Sequence, residues 1–325
     1  MLEVVQPGLQ TTVQDEGRRG YYSLGIPQGG SMDQESARLA NALVGNQASA
    51  AVLECTYIGP VLRATDSTVV AVAGAPVPVL VNGEPHEEWT RIELVEGDML
   101  SFGVIQGGTK YWIAVRGGID VPEALGSRST YVIGSIGGVG GRAVAAGDSL
   151  PVGEPLLSVP AISTLDERFR PSFGRSQRVR IVLGLYDHLL TDEGVRRLVE
   201  EEWTLTPTAD RMGLRYDGPG VEWREREQPF GAGQDPSNIV DAGYAVGSIQ
   251  IPGGTQPIVL HRDAVSGGGY AMVATVISAD MDLLARAAPG TKTRFVPVDM
   301  REALDARHAR ATRIGQAVAS LNLSM

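Results

Sequence analysis

The chain has 325 residues, 43% of them hydrophobic and 20% charged, a composition that suits a folded protein with a sizeable core and excludes a disordered one. A net charge of −10 leaves no basic footprint for nucleic acid or an anionic membrane surface. The single cysteine, Cys55, cannot form an internal disulfide, the N-terminal MLEVVQPG does not read as a signal peptide, and no apolar run approaches the ~20 residues of a membrane span. A cytoplasmic location is therefore expected, with neither nucleic acid nor membrane as a partner.

In chain order, Ser31-Met32-Asp33-Gln34 has the spacing of a capping box. It predicts a helix carrying Met32, Leu39, Leu43 and Val44. Strand formers then dominate Thr68–Val72, Val77–Val81, Arg91–Leu94 and Tyr111–Val115, and Asn82-Gly83 is a hairpin-turn signal. Glu96-Gly97-Asp98 and Gly147-Asp148 read as further tight turns. The glycine-rich run from Gly134 to Gly141 lacks a following Gly-Lys-Ser/Thr and a helix start, so it reads as a plain loop and not a phosphate cradle. Pro151, Pro155, Pro160 and Pro171 mark an irregular stretch read as the inter-domain connection.

The second half predicts a helix over Thr191–Trp203, with Val195, Leu198 and Val199 on one face. A short helix over Ser278–Ala288 starts at a capping Ser278 and Asp280. Asp299 opens a final helix with Glu302 three residues on, and the basic residues beyond it (Arg301, Arg307, Arg310, Arg313) read as a solvated face. The 41 glycines, the short strands and the absence of a β–α rhythm predict a mainly β protein. Its expected organisation is an N-terminal β-barrel domain over 1–155, a connection over 156–174, a C-terminal β-barrel domain over 175–300 and a helix or tail over 301–325.

Several chemistries have no signature here. There is no G-x-S-x-G elbow, and the four histidines are scattered without H-E-x-x-H or C-x-x-C, so no metal is expected. The two lysines, Lys110 and Lys292, do not sit in a biotin-acceptor context. Chemistry is expected instead around residues 249–289. Strand alternation from Pro257 would put Val259, His261 and Asp263 on one face, ahead of the triplet Gly267-Gly268-Gly269 and Tyr270. Asp263 is read either as a general base or as an acid that pins the glycine turn, and His261 as its structural neighbour. Arg211, next to Asp210, offers a donor fork to an anion or a ureido oxygen, or else a salt bridge within the domain. Gln250 could read an amide or close a barrel turn, and Tyr270 could cover a ligand or pack in the core. Asp33, Asn41, Arg18 and Arg116 are explained by structure alone.

The motifs GIPQGGSMD (25–33), Val44-Gly45-Asn46, Arg116-Gly117-Gly118-Ile119, Gly126-Ser127-Arg128-Ser129-Thr130, Asp210-Arg211-Met212-Gly213 and Ile249-Gln250-Ile251-Pro252 stand in the order of a known family. The chain resembles the biotin-dependent carboxyltransferase, or allophanate hydrolase subunit 2, family, which includes the C subunit of bacterial 5-oxoprolinase and the carboxyltransferase part of urea amidolyase. It departs from the family pattern at Ala264-Val265-Ser266, where a Gln-Thr-Thr is usual, and at Arg286.

The resemblance implies cyclophilin-like β-barrels and a subunit of a hetero-oligomeric amide-handling hydrolase. It would work with a sister subunit similar to allophanate hydrolase subunit 1 or to the B subunit of 5-oxoprolinase, most simply in ATP-dependent opening of 5-oxoproline, and would be inactive alone. It equally allows a biotin-dependent carboxyltransferase acting on urea or a similar amide, with carboxybiotin on a separate carrier, or a non-catalytic regulator that binds a kinase-inhibitor-like sister protein. On this reading Asp263 and Arg211 are catalytic, and Asp210, Gln250, Gly267, Gly268, Gly269 and Tyr270 bind a small amide substrate. No cofactor-binding residue is assigned.

Overall fold

The structure, a computed structural model, describes residues 1–322. The chain forms two compact units: residues 1–19, 29–173 and 311–322 make the first, and residues 20–28 and 174–310 the second.

The first unit contains β1 (Leu2–Gln6), β2 (Gln10–Gln14), α1 (Gln34–Leu43), β3 (Val52–Thr56), β4 (Val61–Ala64), β5 (Thr68–Gly74), β6 (Val79–Val81), β7 (Glu84–His86), β8 (Arg91–Leu94), β9 (Met99–Phe102), β10 (Lys110–Val115) and β11 (Ser149–Leu150). These build two sheets, β11-β1-β4-β9-β6-β7 and β2-β3-β10-β5-β8. Alternate residues of both sheets, among them Val4, Leu62, Val79, Leu53, Val70 and Ile113, meet in one apolar core. The mainly β expectation holds, but these strands pair as two sheets and no hydrogen-bonded ring closes among them.

Strand β10 is buried along its whole length. Tyr111, Ile113 and Val115 enter that core, while Trp112 and Ala114 join Leu39 and Leu43 of α1 in a second layer. The cap of α1 differs from expectation. Asp33, not Ser31, is the N-cap, its carboxylate accepting from the Ser36 backbone N–H at 3.0 Å and from the Ser36 hydroxyl at 2.6 Å. Asn82 (φ 53°) and Gly83 (φ 88°) form the β6–β7 hairpin turn as predicted, because both central residues of that turn need positive φ.

The Gly134–Gly141 run is a loop, with no helix after it. Its glycines are there for close packing. A Cβ on Gly137 would lie 2.1 Å from the Ser129 carbonyl oxygen, and one on Gly141 2.1 Å from the Ser135 carbonyl carbon. The proline-rich stretch is less of a free connection than expected, for residues up to 173 belong to the first unit. Thr164 bridges to Thr90, and Leu165 and Phe169 are buried beside Trp89.

The second unit contains β12 (Ser176–Leu183), α2 (Asp192–Glu200), β13 (Trp203–Ala209), β14 (Gly213–Asp217), β15 (Asn238–Gly243), β16 (Ser248–Gln250), β17 (Ile258–Leu260), β18 (Gly267–Tyr270), β19 (Met272–Val276), α3 (Met281–Arg286) and β20 (Lys292–Pro297). Seven of its strands close a barrel in the order β12-β19-β16-β17-β14-β13-β20, and β15 and β18 pair as a separate ribbon. Only β12 and β20 run parallel. Val179, Ile181, Leu205, Ile249, Val259, Val273 and Phe295 fill the core.

Helix α2 starts one residue after Thr191, whose hydroxyl caps it by accepting from the Gly194 N–H at 3.0 Å. At α3 the expected cap fails. Asp280 makes no capping bond and binds Arg180 instead, through the guanidinium Nε at 3.0 Å and Nη2 at 2.5 Å. The charge-assisted bonds to arginine are the stronger use of that carboxylate. Helix α4 (Met300–Ser320) opens with the reciprocal box expected for Asp299 and Glu302: the Glu302 N–H donates to Asp299 at 2.8 Å and the Asp299 N–H to Glu302 at 2.9 Å. Residues up to Arg310 go with the second unit and the rest with the first; the end of the expected 301–325 segment, beyond residue 322, lies outside the described residues. None of the described helices is long and apolar enough to cross a membrane.

Candidate functional site

The hairpin β13–β14 turns through Asp210-Arg211-Met212-Gly213, between paired Ala209 and Leu214. Asp210 makes this turn: its carboxylate accepts the N–H groups of Met212 (2.7 Å) and Gly213 (3.1 Å), the use of aspartate that stabilises a tight turn. It is exposed, and its local backbone bonds account for it.

Arg211 leaves the same turn and is 6% exposed. Its Nε and Nη2 donate to the two carboxylate oxygens of Asp263 at 2.7 and 2.8 Å. The backbones are joined as well, with the Asp263 N–H donating to the Arg211 carbonyl at 2.8 Å. A planar fork meets a planar carboxylate, the geometry that makes such a pair both strong and directional. The two residues expected to carry the chemistry thus lie together, although 52 positions apart in sequence. Neither sequence reading of Asp263 describes this arrangement. Its oxygens bind a guanidinium and not the glycines that follow.

The strand before Asp263 is shorter than expected. It ends at Leu260, and the chain turns, the Ala264 N–H reaching the His261 carbonyl at 3.1 Å. Alternation therefore stops before it can place His261 beside Asp263. The fully buried His261 ring accepts the Arg262 N–H at Nδ1 (3.0 Å), and Nε2 lies 3.3 Å from the Met281 carbonyl.

Gly267, Gly268 and Gly269 do not form a turn. With Tyr270 they are strand β18, paired to β15 through Asn238, Ala242 and Gly243. Here glycine leaves room for neighbours: a Cβ on Gly268 would come 3.1 Å from the Tyr244 ring. The Tyr244 hydroxyl donates to the Tyr270 carbonyl (2.9 Å) and accepts the Tyr270 N–H (2.8 Å). Burial pushes the Tyr244 phenol up, so it keeps the proton this donation needs. The Tyr270 side chain is 44% exposed and packs in no core.

Gln250 lies on β16, opposite Met272 of β19 and Ile258 of β17. It is 6% exposed, and its Nε2 has no acceptor among the described residues. A buried amide N–H without a partner is costly in a native protein and calls for an explanation. Trp223, which the sequence did not suggest, is a second case: its Nε1 also lacks an acceptor, and a Cβ on Gly254 would lie 3.0 Å from it. The signal available in the sequence was the Gly253-Gly254 pair after Gln250, where the chain leaves room for a large neighbour. Tyr22, on the segment 20–28, reaches the Val265 carbonyl with its hydroxyl at 3.4 Å.

These donors suit carbonyl or carboxylate oxygens, and the mainly β fold, with one closed barrel, is of the class that the sequence motifs implied. The family described as carboxyltransferase domain, subdomain A and B, matches residues 24–297, and the chain belongs to it. It is 33% identical to urea amidolyase of Lachancea kluyveri over 96% of its own length but 18% of that protein's. It is also 33% identical to the C subunit of 5-oxoprolinase from Escherichia coli strain K12, over 94% of each chain. The crystal structure of K. lactis urea amidolyase shares the fold with a TM-score of 0.91 at 33% identity, over 97% of this chain and 20% of that one. The Kluyveromyces lactis urea carboxylase structure does so with the same TM-score and identity, over 100% and 30%. The chain thus spans about a fifth of the urea amidolyases it matches.

Proposed function

We propose that this chain is one subunit of a hetero-oligomeric amide-handling hydrolase that opens 5-oxoproline at the expense of ATP, acting with a sister subunit similar to the B subunit of 5-oxoprolinase. The observation that carries the amide reading is Gln250, a buried carboxamide whose N–H group has no acceptor among the described residues. A lactam or ureido carbonyl oxygen would satisfy it, and satisfying a buried donor favours a ligand that brings the acceptor over one that does not. The match to the C subunit of 5-oxoprolinase over 94% of that protein supports 5-oxoproline as the amide.

In this reading Arg211 faces the substrate's carboxylate or developing negative charge, and Asp263 fixes the guanidinium by its bidentate grip. With both oxygens held, Asp263 acts as a positioning group; a role as general base would require the pair to open. The ribbon residues Gly267–Tyr270, tied down by Tyr244, border the substrate. ATP is used by the assembled complex, and no residue of this chain is assigned to it. The complex would reside in the cytoplasm.

A second reading, carboxyl transfer to urea or a similar amide from carboxybiotin on a separate carrier, is favoured by the fold match to urea carboxylase. The same Gln250 donor fits a ureido carbonyl, and that group when bound would supply the activated carboxyl. Reconstitution separates the two. The chain is mixed with its purified sister subunit and assayed for 5-oxoproline-dependent ATP hydrolysis, then with carboxybiotin and urea. Turnover of 5-oxoproline only when the subunits are combined is the expected result. Urea carboxylation in its place, or full activity of the chain alone, would overturn it.

A further inference from the structure

The barrel is closed, but the end of β12 outruns its partner at the seam. Strand β20 pairs with β12 only as far as Ile181, opposite Pro297, with one last bond from the Val298 N–H to the Ile181 carbonyl at 2.8 Å. Beyond it β12 keeps its neighbour on the other side alone, Leu183 lying opposite Ala274, and the chain that follows stays on that side, the Gly184 N–H reaching the Val273 carbonyl at 3.1 Å and the Tyr186 N–H the Met272 carbonyl at 3.1 Å. Backbone groups alternate along a strand, so those of Leu183, the last residue of β12, point to the unpaired edge.

The chain after β20 folds back as α4 and supplies a facing wall. Met300, Leu304 and Arg307 lie at the i, i+4, i+7 spacing of one helix face. Between wall and edge is a cleft of about 360 Å³, floored by residues such as Ile277. Its lips are apolar and exposed: Leu185 is 72% exposed, Met300 62% and Leu304 40%. Arg307 is the single charged side chain lining it and forms no ion pair among the described residues. Arg310, one turn on, is by contrast held by Asp282.

We infer that this cleft receives an extended segment of another polypeptide, which adds a strand to the open edge of β12, places an apolar side chain against Leu185, Met300 and Leu304, and sets an acidic group on Arg307. Three features converge on this occupant. Unpaired strand edges recruit extended chains through main-chain bonds, with side-chain pockets supplying selectivity. The wall is apolar where such a side chain would point. The one unpaired charge is positive, so the complementary residue is an aspartate, a glutamate or a C-terminal carboxylate. The helical wall from Met300 to Arg307 is roughly 10 Å long, which matches about three residues of extended chain. The inference does not depend on the proposed amide chemistry.

The test uses phage-displayed random octapeptides selected on the immobilised chain, followed by fluorescence-polarisation titration of the enriched peptide. Enriched sequences are expected to pair an acidic residue with an apolar one two or three positions away. Arg307→Glu and Leu304→Glu should each weaken binding at least tenfold while thermal unfolding stays that of the parent, both residues being exposed. N-methylation of alternate peptide amides should abolish binding in one register and spare it in the other. Failure of any peptide to enrich, or binding that survives both substitutions, would overturn the inference. Binding lost in both substitutions but indifferent to N-methylation would also overturn strand addition, since the seat would then take a helix or a small apolar molecule.

Discussion

Arg211 and Asp263 hold each other three times, twice through side chains and once through the backbone. The hairpin tip between β13 and β14 is thereby locked to the turn after β17. Both side chains are buried, so their charges are compensated mainly by each other and by the surrounding protein.

Asp263→Asn should therefore act first on stability. Breaking one side of a buried pair leaves an under-compensated guanidinium and is expected to cost about 3–5 kcal/mol in urea denaturation. Replacing both partners, Arg211→Met with Asp263→Leu, should cost less than Asp263→Asn alone. An Asp263→Asn variant with unchanged stability and a rate reduced by about 10²–10⁴ would instead identify a general base.

Gln250→Leu should behave in the opposite way. Its Nε2 has no acceptor among the described residues, so little stability is lost, and a modest gain is expected. Substrate turnover by the reconstituted complex should fall by about tenfold or more, the worth of one hydrogen bond to a ligand carbonyl. A destabilised variant with normal turnover per folded molecule would remove Gln250 from the site.

Two glycines of the 134–141 run separate packing from backbone conformation. Both Gly137 (φ 71°) and Gly140 (φ 62°) need the left-handed region, but a Cβ at Gly140 meets nothing within 4 Å. Gly140→Ala should cost about 1–2 kcal/mol from conformation alone. Gly137→Ala, which must also displace the Ser129 carbonyl, should cost clearly more. Equal melting temperatures for the two variants would show that the loop yields freely.

Glu88 gives the first unit a pH dependence. Burial pushes its carboxyl up from the ordinary 4.5 to about 7, against the opposing effects of the Val77 N–H it accepts and of Arg170. Between these values the folded chain holds the proton more often than the unfolded chain. This contribution to stability is therefore fully present below pH 4.5, declines as pH rises and is gone above 7. Glu88→Gln should remove that decline from the pH profile of thermal unfolding and raise stability at pH 8 relative to the parent.

Local signals in the sequence determined much of this protein. The runs over residues 68–72, 91–94 and 111–115 became β5, β8 and β10, because β-branched and aromatic side chains suit a buried pleated surface. Asn82-Gly83 dictated its turn, and Asp299 with Glu302 their helix start, since in each case the residues that need one another are adjacent. The order of short motifs carried the family, and so the mainly β class. Tertiary structure decided what depends on distant partners. The Asp280 carboxylate was drawn from capping its helix by Arg180, a hundred positions away, and the glycine triplet became a strand because β15 was there to pair with it. The meeting of Arg211 with Asp263 required the closure of β14 against β17. Periodicity and spacing register neighbours along the chain; the partners of a buried charge or an unpaired edge are set by which strands lie side by side, and that is fixed only when the barrel closes.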